Sequence, residues 1–327
     1  MKLGAILAAA LAALLGTTAA HAQPATQSAA DYPSKPIRII GGFAAGGTGG
    51  NIMVRMISDW LGRKWNQSIV VENMPGGGSL IGTQYVKRAA PDGYTLLFGF
   101  DSLAMFNIFL KNPDIDVQRD LTPISYFSHY PLMVIASAGQ PYKTMPEFVA
   151  YAKANPGKIN FAMQPNTPSH LFSALLANRL GVDWQMIPYT GSAPMNLSML
   201  TGETHVTLAP YGTRAADIKE GKLIPLAILD ERRSALAPDV PSLKEQGTDI
   251  AALNWYGLFG PAGLPKPITD KLSAAIQEMV KDPAVIDQAN KMSLDLIGST
   301  PEFMAKTLAT DLKVRAEAGK IAKIQPE

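Results

Sequence analysis

The chain contains no cysteine. That absence excludes disulfides, thiol nucleophiles, thiolate metal sites and a lipid-modified cysteine. Histidine is nearly as scarce. Of the four, His21 lies in an N-terminal apolar stretch, and His129, His170 and His205 are too widely spaced to form a metal-ligand motif. There is no Gly-x-Ser-x-Gly elbow, no histidine tied by spacing to a serine, and no paired carboxylate arrangement for acid–base work. The residues therefore point to no catalytic, metal or cofactor site. An excess of one charge is lacking too: Lys and Arg number 29, Asp and Glu 27, in a chain only 17% charged. Such a balance favours neither nucleic acid nor a membrane surface as a partner. No internal repeat stands out.

What is present begins with a leader. Lys2, an apolar run from Ile6 to Leu15 and the small-x-small triplet Ala20-His21-Ala22 read as a signal peptide over 1–22. The run is too short for a comfortable membrane span, and no second long apolar run follows. Residues 23–31 read as a flexible tether, after which the protein is expected in the periplasm. With 327 residues, 47% of them hydrophobic, the chain has material for two well-packed α/β domains.

The organising stretch is Gly41–Leu61. A β-type run, Ile37–Ile40, feeds a turn with six glycines between Gly41 and Gly50. Helical spacing follows, with Ile52, Met53, Met56, Ile57, Trp60 and Leu61 on one face. Glycines let backbone N–H groups converge, and the start of a helix adds its positive dipole end. The plan repeats at Ile69–Val71, the loop Glu72–Ser79, and a helix expected to run through Ile81, Tyr85, Val86 and Ala89. Three readings of these loops stay open: anion cradles, plain tight turns, or a nucleotide loop. The strict nucleotide patterns fail, because Ile52 stands where GxGxxG needs glycine and no lysine completes a phosphate loop. With no Lys or Arg in the first turn, an anion held there would be held by peptide dipoles.

Pro91-Asp92-Gly93-Tyr94 marks a turn into a third buried strand, Thr95–Phe100, which ends at Asp101-Ser102 before a helix with Leu103, Phe106, Ile108 and Phe109. Three strand-then-helix units predict a parallel sheet with right-handed crossovers, and ligands of such sheets collect at the strands' carboxyl ends. Leu121–Phe127 and Pro131–Ala136 are extended and lead into a second domain of the same plan. There Thr144-Met145-Pro146-Glu147 is a capping box and Gly181 a helix stop. Asn254–Gly260 returns to the first domain, and helices near 268–280, 283–291 and 301–318 close onto it. Read singly, Asp101 is a helix cap or a ligand contact. Ser102 and His170 are open in the same way, and Phe100 and Tyr211 are core or pocket lining. Phe43, in the loop itself, favours contact. His129 and His205 read as structural.

In this order, Tyr32–Arg38, FAAGGTGGN, Val70–Ser79, AAPDGYTLLFG, YAKANPGKINFA, Ile187–Gly191, Pro238–Ser242 and WYGLFGPAGLPKP resemble the Bug family. These are solute-binding proteins of tripartite tricarboxylate transporters. The resemblance spans essentially the whole chain after the leader. It implies an α/β, two-domain periplasmic-binding-protein-like fold (type II) with the ligand cleft between domains: residues 32–128 plus 255–327, and residues 129–254. It implies a small organic carboxylate as ligand, integral-membrane transporter subunits as partners, and a monomer. Mapped onto this sequence, one wall of the cleft comprises Phe43, Ala44, Gly47, Thr48, Gly49, Asn51, Gly77, Gly78 and Ser79. Phe100, Asp101 and Ser102 lie beside them. The opposite wall comprises Gln164, Asn166, Thr167, Ser169, His170, Tyr189, Thr190 and Tyr211. The family commonly carries Asp where Asn51 stands, and the first loop here is one residue longer. Loss of that negative charge is expected to favour acidic ligands. A ligand-dependent sensor and a secreted hydrolase are the alternatives, the second weakened by the absence of a nucleophile–base motif.

Overall fold

The computed structural model describes residues 31–45, 49–234, 237–252, 254–291 and 294–326. The expected signal peptide, almost all of the tether, and the site candidates Gly47 and Thr48 lie outside the described residues.

In chain order, β1 (Ile37–Gly41) leads into α1 (Gly49–Trp65), and β2 (Ile69–Asn73) into a 3-10 turn (Gly77–Ser79) and α2 (Leu80–Lys87). Next come β3 (Thr95–Phe100), a 3-10 turn (Asp101–Met105), and the short helices α3 (Phe106–Phe109) and α4 (Val117–Asp120). The chain then runs through β4 (Leu121–His129), β5 (Leu132–Ser137), α5 (Met145–Ala154), β6 (Asn160–Met163), α6 (Pro168–Leu180), β7 (Gln185–Pro188) and α7 (Ser192–Thr201). It continues with β8 (Val206–Pro210), a 3-10 turn (Tyr211–Thr213), α8 (Ala215–Lys219) and β9 (Leu223–Ile228). It closes with β10 (Trp255–Pro261), α9 (Lys266–Met279), α10 (Pro283–Lys291), β11 (Asp295–Leu296) and α11 (Pro301–Ile321).

Two sheets result, in the orders β11-β4-β10-β3-β1-β2 and β7-β6-β8-β5-β9. Each contains three mutually parallel strands, β2-β1-β3 in one and β7-β6-β8 in the other. The parallel expectation holds for those strands only. The segments linking the sheets enter them antiparallel: β10 against β3 and β4, and β5 against β8 and β9. The chain passes between the sheets at Tyr130-Pro131 and returns just before Trp255. The two passages are tied together, the Tyr130 N–H donating to the Asn254 carbonyl at 3.1 Å. The six-stranded sheet and its helices make a first lobe, and the five-stranded sheet and its helices a second.

Small residues take buried positions on the faces of both α1 and α2. In α1, Met53, Val54, Met56, Ile57, Trp60 and Leu61 are buried, but Ile52 is 47% exposed, because Gly50 and Asn51 take the buried positions of the first turn. In α2, Gly82, Thr83 and Val86 face the sheet, whereas Ile81 and Tyr85 point outward. A Cβ on Gly82 would sit 3.3 Å from the Met74 carbonyl and from Ile40, so only a small residue lets α2 approach this closely. Tyr85 instead lies under the Arg38 guanidinium, 5.3 Å from its ring centre. After β3 the expected single helix is a buried 3-10 turn followed by the four residues of α3. The capping box on α5 forms as read, and Gly181 ends α6 at φ 62°.

Candidate functional site

The two glycine loops meet at the carboxyl ends of β1 and β2. The Met74 N–H donates to the Gly41 carbonyl at 2.8 Å, and an added Cβ on Gly42 would fall 2.3 Å from the Ser79 Cβ. Glycine is required there by proximity. In the second loop it is required by conformation: Gly76, Gly77 and Gly78 all have positive φ (130°, 57° and 63°), and Ser79 follows at 84°. That run of left-handed residues turns the loop sharply and closes it as a 3-10 turn, the Leu80 N–H donating to the Gly77 carbonyl. Gly77 is exposed, and the Ser79 and Ser102 hydroxyls bond at 2.8 Å just beneath.

Two asparagines shape the first loop. Asn51 donates to the Ala44 carbonyl at 2.7 Å and accepts from Asn73 at 3.0 Å, and Asn73 also donates to the Phe43 carbonyl at 3.1 Å. Both amides therefore hold main-chain carbonyls inward, and Asn51 is buried. The Phe43 ring packs over Gly41 and Gly50 and edge-on to Phe98 at 5.9 Å, with Phe100 6.1 Å away. Phe43 and Phe100 thus form a partly buried aromatic floor, while Ala44 is exposed and Gly49 half-buried.

Asp101 is not presented to either loop. The residue is wholly buried, accepts from the Tyr130 hydroxyl at 3.1 Å, and lies 3.5 Å from the Arg315 guanidinium. It makes no side-chain helix cap either. Burial pushes its carboxyl up to about 7, against the pull of Arg315. Arg315 is shared with Asp311 at 2.7 Å, and Asp311 also accepts from the Trp255 indole at 2.9 Å. This ionic core lies below the cradle, where β3, the Tyr130 passage, β10 and α11 meet. Sequence reading missed Arg315 and Tyr130. The signal was available: Met304, Leu308, Asp311, Arg315 and Ala318 recur at intervals of three and four along α11, putting two charges on the buried phase.

The second lobe supplies a wall of side chains. The Gln164 N–H donates to the Ser169 hydroxyl at 2.9 Å, and the Thr167 hydroxyl donates to the Gln164 carbonyl at 2.7 Å and pairs with Ser169 at 2.9 Å. The Asn166 N–H points to His170 Nδ1 at 3.4 Å. Gln164 reaches the Ser192 hydroxyl at 3.4 Å, and Arg214, absent from the expected set, reaches the Ser192 carbonyl at 3.4 Å. Thr190 is exposed, Tyr189 bonds outward to Glu203 at 3.2 Å, and Tyr211 is half-buried against the lobe's core.

The walls approach each other closely. A Cβ on Gly78 would lie 2.6 Å from the Asn166 carbonyl. His170 stacks on Phe109 of the first lobe at 4.7 Å, and Arg315 sits over Phe172 of α6 at 5.2 Å. His205 accepts from the Asn160 N–H at 3.0 Å within the second lobe. His129 lies between Asp230 and Asp295, 3.9 Å from each, with its pKa lowered by burial against the pull of those carboxylates. A groove of about 680 Å³ lies outside both walls, where Phe106, Ile108 and Val117 face Leu312, Ala316 and Ile324. Among the described residues no cluster of His, Asp and Glu is placed to hold a metal ion, and no helix is long and apolar enough to cross a membrane.

Two α/β lobes joined by two crossing strands, with polar loops converging between them, define a solute-binding protein. The sequence matches the model of the tripartite tricarboxylate transporter family receptor over residues 53–320, and the chain belongs to that family. It is 30% identical to BugT of Bordetella pertussis over 308 residues, covering 93% of this chain and 94% of that protein. The periplasmic binding protein BugD has a similar structure, with TM-score 0.83, 28% identity, and coverage of 90% of this chain and 100% of BugD. MatC from Rhodopseudomonas palustris, solved with bound malate, matches with TM-score 0.80 and 25% identity, over 88% of this chain and 100% of that one. These are binding proteins of transport systems, not enzymes, which answers the hydrolase alternative.

Proposed function

We propose that the chain captures a small organic carboxylate between its lobes in the periplasm and delivers it to integral-membrane subunits of a tripartite tricarboxylate-type transporter. The observation that carries this reading is the second glycine loop. Three consecutive positive-φ glycines and Ser79 turn it sharply beside the first loop and set it directly across from Asn166. The loop's amides and the N-terminus of α1 replace the water shell of one carboxylate without a cationic side chain. Ala44, Gly49, Gly77, Gly78 and Ser79, together with Gly47 and Thr48, make this contact. Gln164, Asn166, Thr167, Ser169, His170, Tyr189, Thr190 and Tyr211 make the other, over the floor of Phe43 and Phe100. Asn51 shapes the loop and leaves the rim without a carboxylate. Asp101 and Ser102 support the cradle from below.

The domain division is 32–128 plus 255–327 against 129–254, and the crossings at Tyr130 and Asn254 act as the hinge. Closure is favoured because the ligand touches both walls only when they approach. Release requires no buried salt bridge in the first cradle to be broken. Residues 1–22 act as the export signal, residues 23–31 as a tether, and the protein works as a monomer. The bound malate in a relative 25% identical supports the ligand class.

Thermal-shift screening of aliphatic and aromatic mono- and dicarboxylates tests the reading. A ligand at about a hundredfold its Kd adds roughly 2.7 kcal/mol of stability. Failure of every carboxylate to stabilise the protein, or turnover of one that does, would overturn it.

A further inference from the structure

Arg214 follows the 3-10 turn at Tyr211–Thr213 and is only 5% exposed. Its Nη1 donates to the Thr213 carbonyl at 3.0 Å, and its Nη2 reaches the Ser192 carbonyl at the long distance of 3.4 Å. Its Nε is buried and donates to nothing among the described residues. No carboxylate among the described residues lies within 4 Å to form an ion pair with it. The carboxylate whose charge acts on it is Asp217, which already accepts from Asn196 at 3.1 Å. A buried guanidinium with unfilled donors and no ion pair is costly to the folded protein, and an anion arriving nearby would offset part of that cost.

The guanidinium lies against the first residue of α7, a helix of ten residues whose N-cap, Gly191, offers no side-chain acceptor. The first-turn N–H groups of α7 therefore have no capping side chain, and Pro194 contributes none of its own. Gln164 Nε2 lies 3.4 Å from the Ser192 hydroxyl, so this corner continues directly from the second wall. A donor-rich helix start, a hydroxyl, a carboxamide and an uncompensated buried cation converge on one point.

We propose that Ser192 and the N-terminus of α7 receive a second carboxylate of the ligand, and that Arg214 is the positioning residue whose charge makes the site select dicarboxylates over monocarboxylates. This rests on the carboxylate-receptor reading above and names its substrate class. The two walls then divide the ligand between them. Peptide amides of the first lobe hold one carboxylate, and the Ser192 corner holds the other.

The test is titration calorimetry with two chain-matched pairs, succinate against butyrate and adipate against hexanoate, on the wild type, Arg214→Met, Arg214→Lys and Ser192→Ala. The wild type is expected to bind at least one dicarboxylate tenfold or more tightly than its match. Arg214→Met should lose at least tenfold for that dicarboxylate and less than twofold for the monocarboxylate. Arg214→Lys, which keeps the charge, should recover most of the loss, and Ser192→Ala should lose a few-fold for the dicarboxylate alone. If Arg214→Met fails to fold, the lysine and alanine variants carry the test. Equal losses for both ligand types, a lysine variant no better than methionine, or unchanged affinities would overturn the inference while leaving the receptor reading intact. A wild type that binds none of the four, with no other carboxylate stabilising it, would remove both.

Discussion

The two walls that face each other across the lobes are built from different materials. The first is backbone. Gly42 packs into Ser79, three left-handed glycines turn the second loop, and the side chains of Asn51 and Asn73 hold carbonyls out of the way. The second is side chain: Gln164, Thr167, Ser169, His170 and Ser192 hydrogen-bond along the loop, with Arg214 behind them. A backbone wall is fixed in shape, and under the proposed function it reads only what every carboxylate shares. A side-chain wall can be altered residue by residue without disturbing the turn that carries it, so discrimination between ligands is expected there. The proposed function thus puts common recognition on one side and selective recognition on the other.

The contrast can be broken most sharply at Gly78. Its φ of 63° and the Asn166 carbonyl 2.6 Å from a would-be Cβ leave no room for a side chain. Gly78→Ala is expected to cost at least tenfold in carboxylate affinity, measured by calorimetry, because it strains the loop and props the lobes apart. A left-handed alanine alone costs on the order of 1 kcal/mol in unfolding stability. Unchanged affinity would mean that the first wall is not a contact surface.

A smaller effect is expected below the walls. The Asp101 carboxyl is pushed up to about 7 by burial, against an ordinary value near 4. A carboxyl whose pKa is higher folded than unfolded binds its proton more tightly in the folded state. Its contribution to stability therefore falls as pH rises from about 4 to about 7, and the loss is complete above that. Asp101→Asn removes the titration. The difference in melting temperature, variant minus wild type, should climb between pH 5 and pH 8. A flat or falling difference would place the charge on Asp101 throughout and contradict the account of the ionic core.

Much of this was legible in the sequence because it is written in local rules. Alternating strands and helices gave both parallel cores, the capping box at Thr144 and the stop at Gly181 gave helix ends, and the glycine runs gave the first wall. What was not legible depends on partners far away in the chain. Helical spacing puts Ile52 on one face with Met53 and Met56 and runs the next helix through Ile81 and Tyr85, but α1 and α2 approach the sheet through Gly50, Gly82 and Thr83. Asp101 was read as a cap or a ligand contact because its partners, Tyr130 and Arg315, lie 29 and 214 residues away. Nothing in the local sequence around Arg214 marks it as buried. Only the fold shows it buried beneath Ser192.

The most direct test of the central claim is a crystal structure with a stabilising dicarboxylate, such as succinate, soaked or co-crystallised. The account predicts one carboxylate within hydrogen-bonding distance of main-chain N–H groups in the 43–51 and 76–79 loops, with the lobes closed over it. A carboxylate bound elsewhere, with both glycine loops facing bulk solvent, would contradict it.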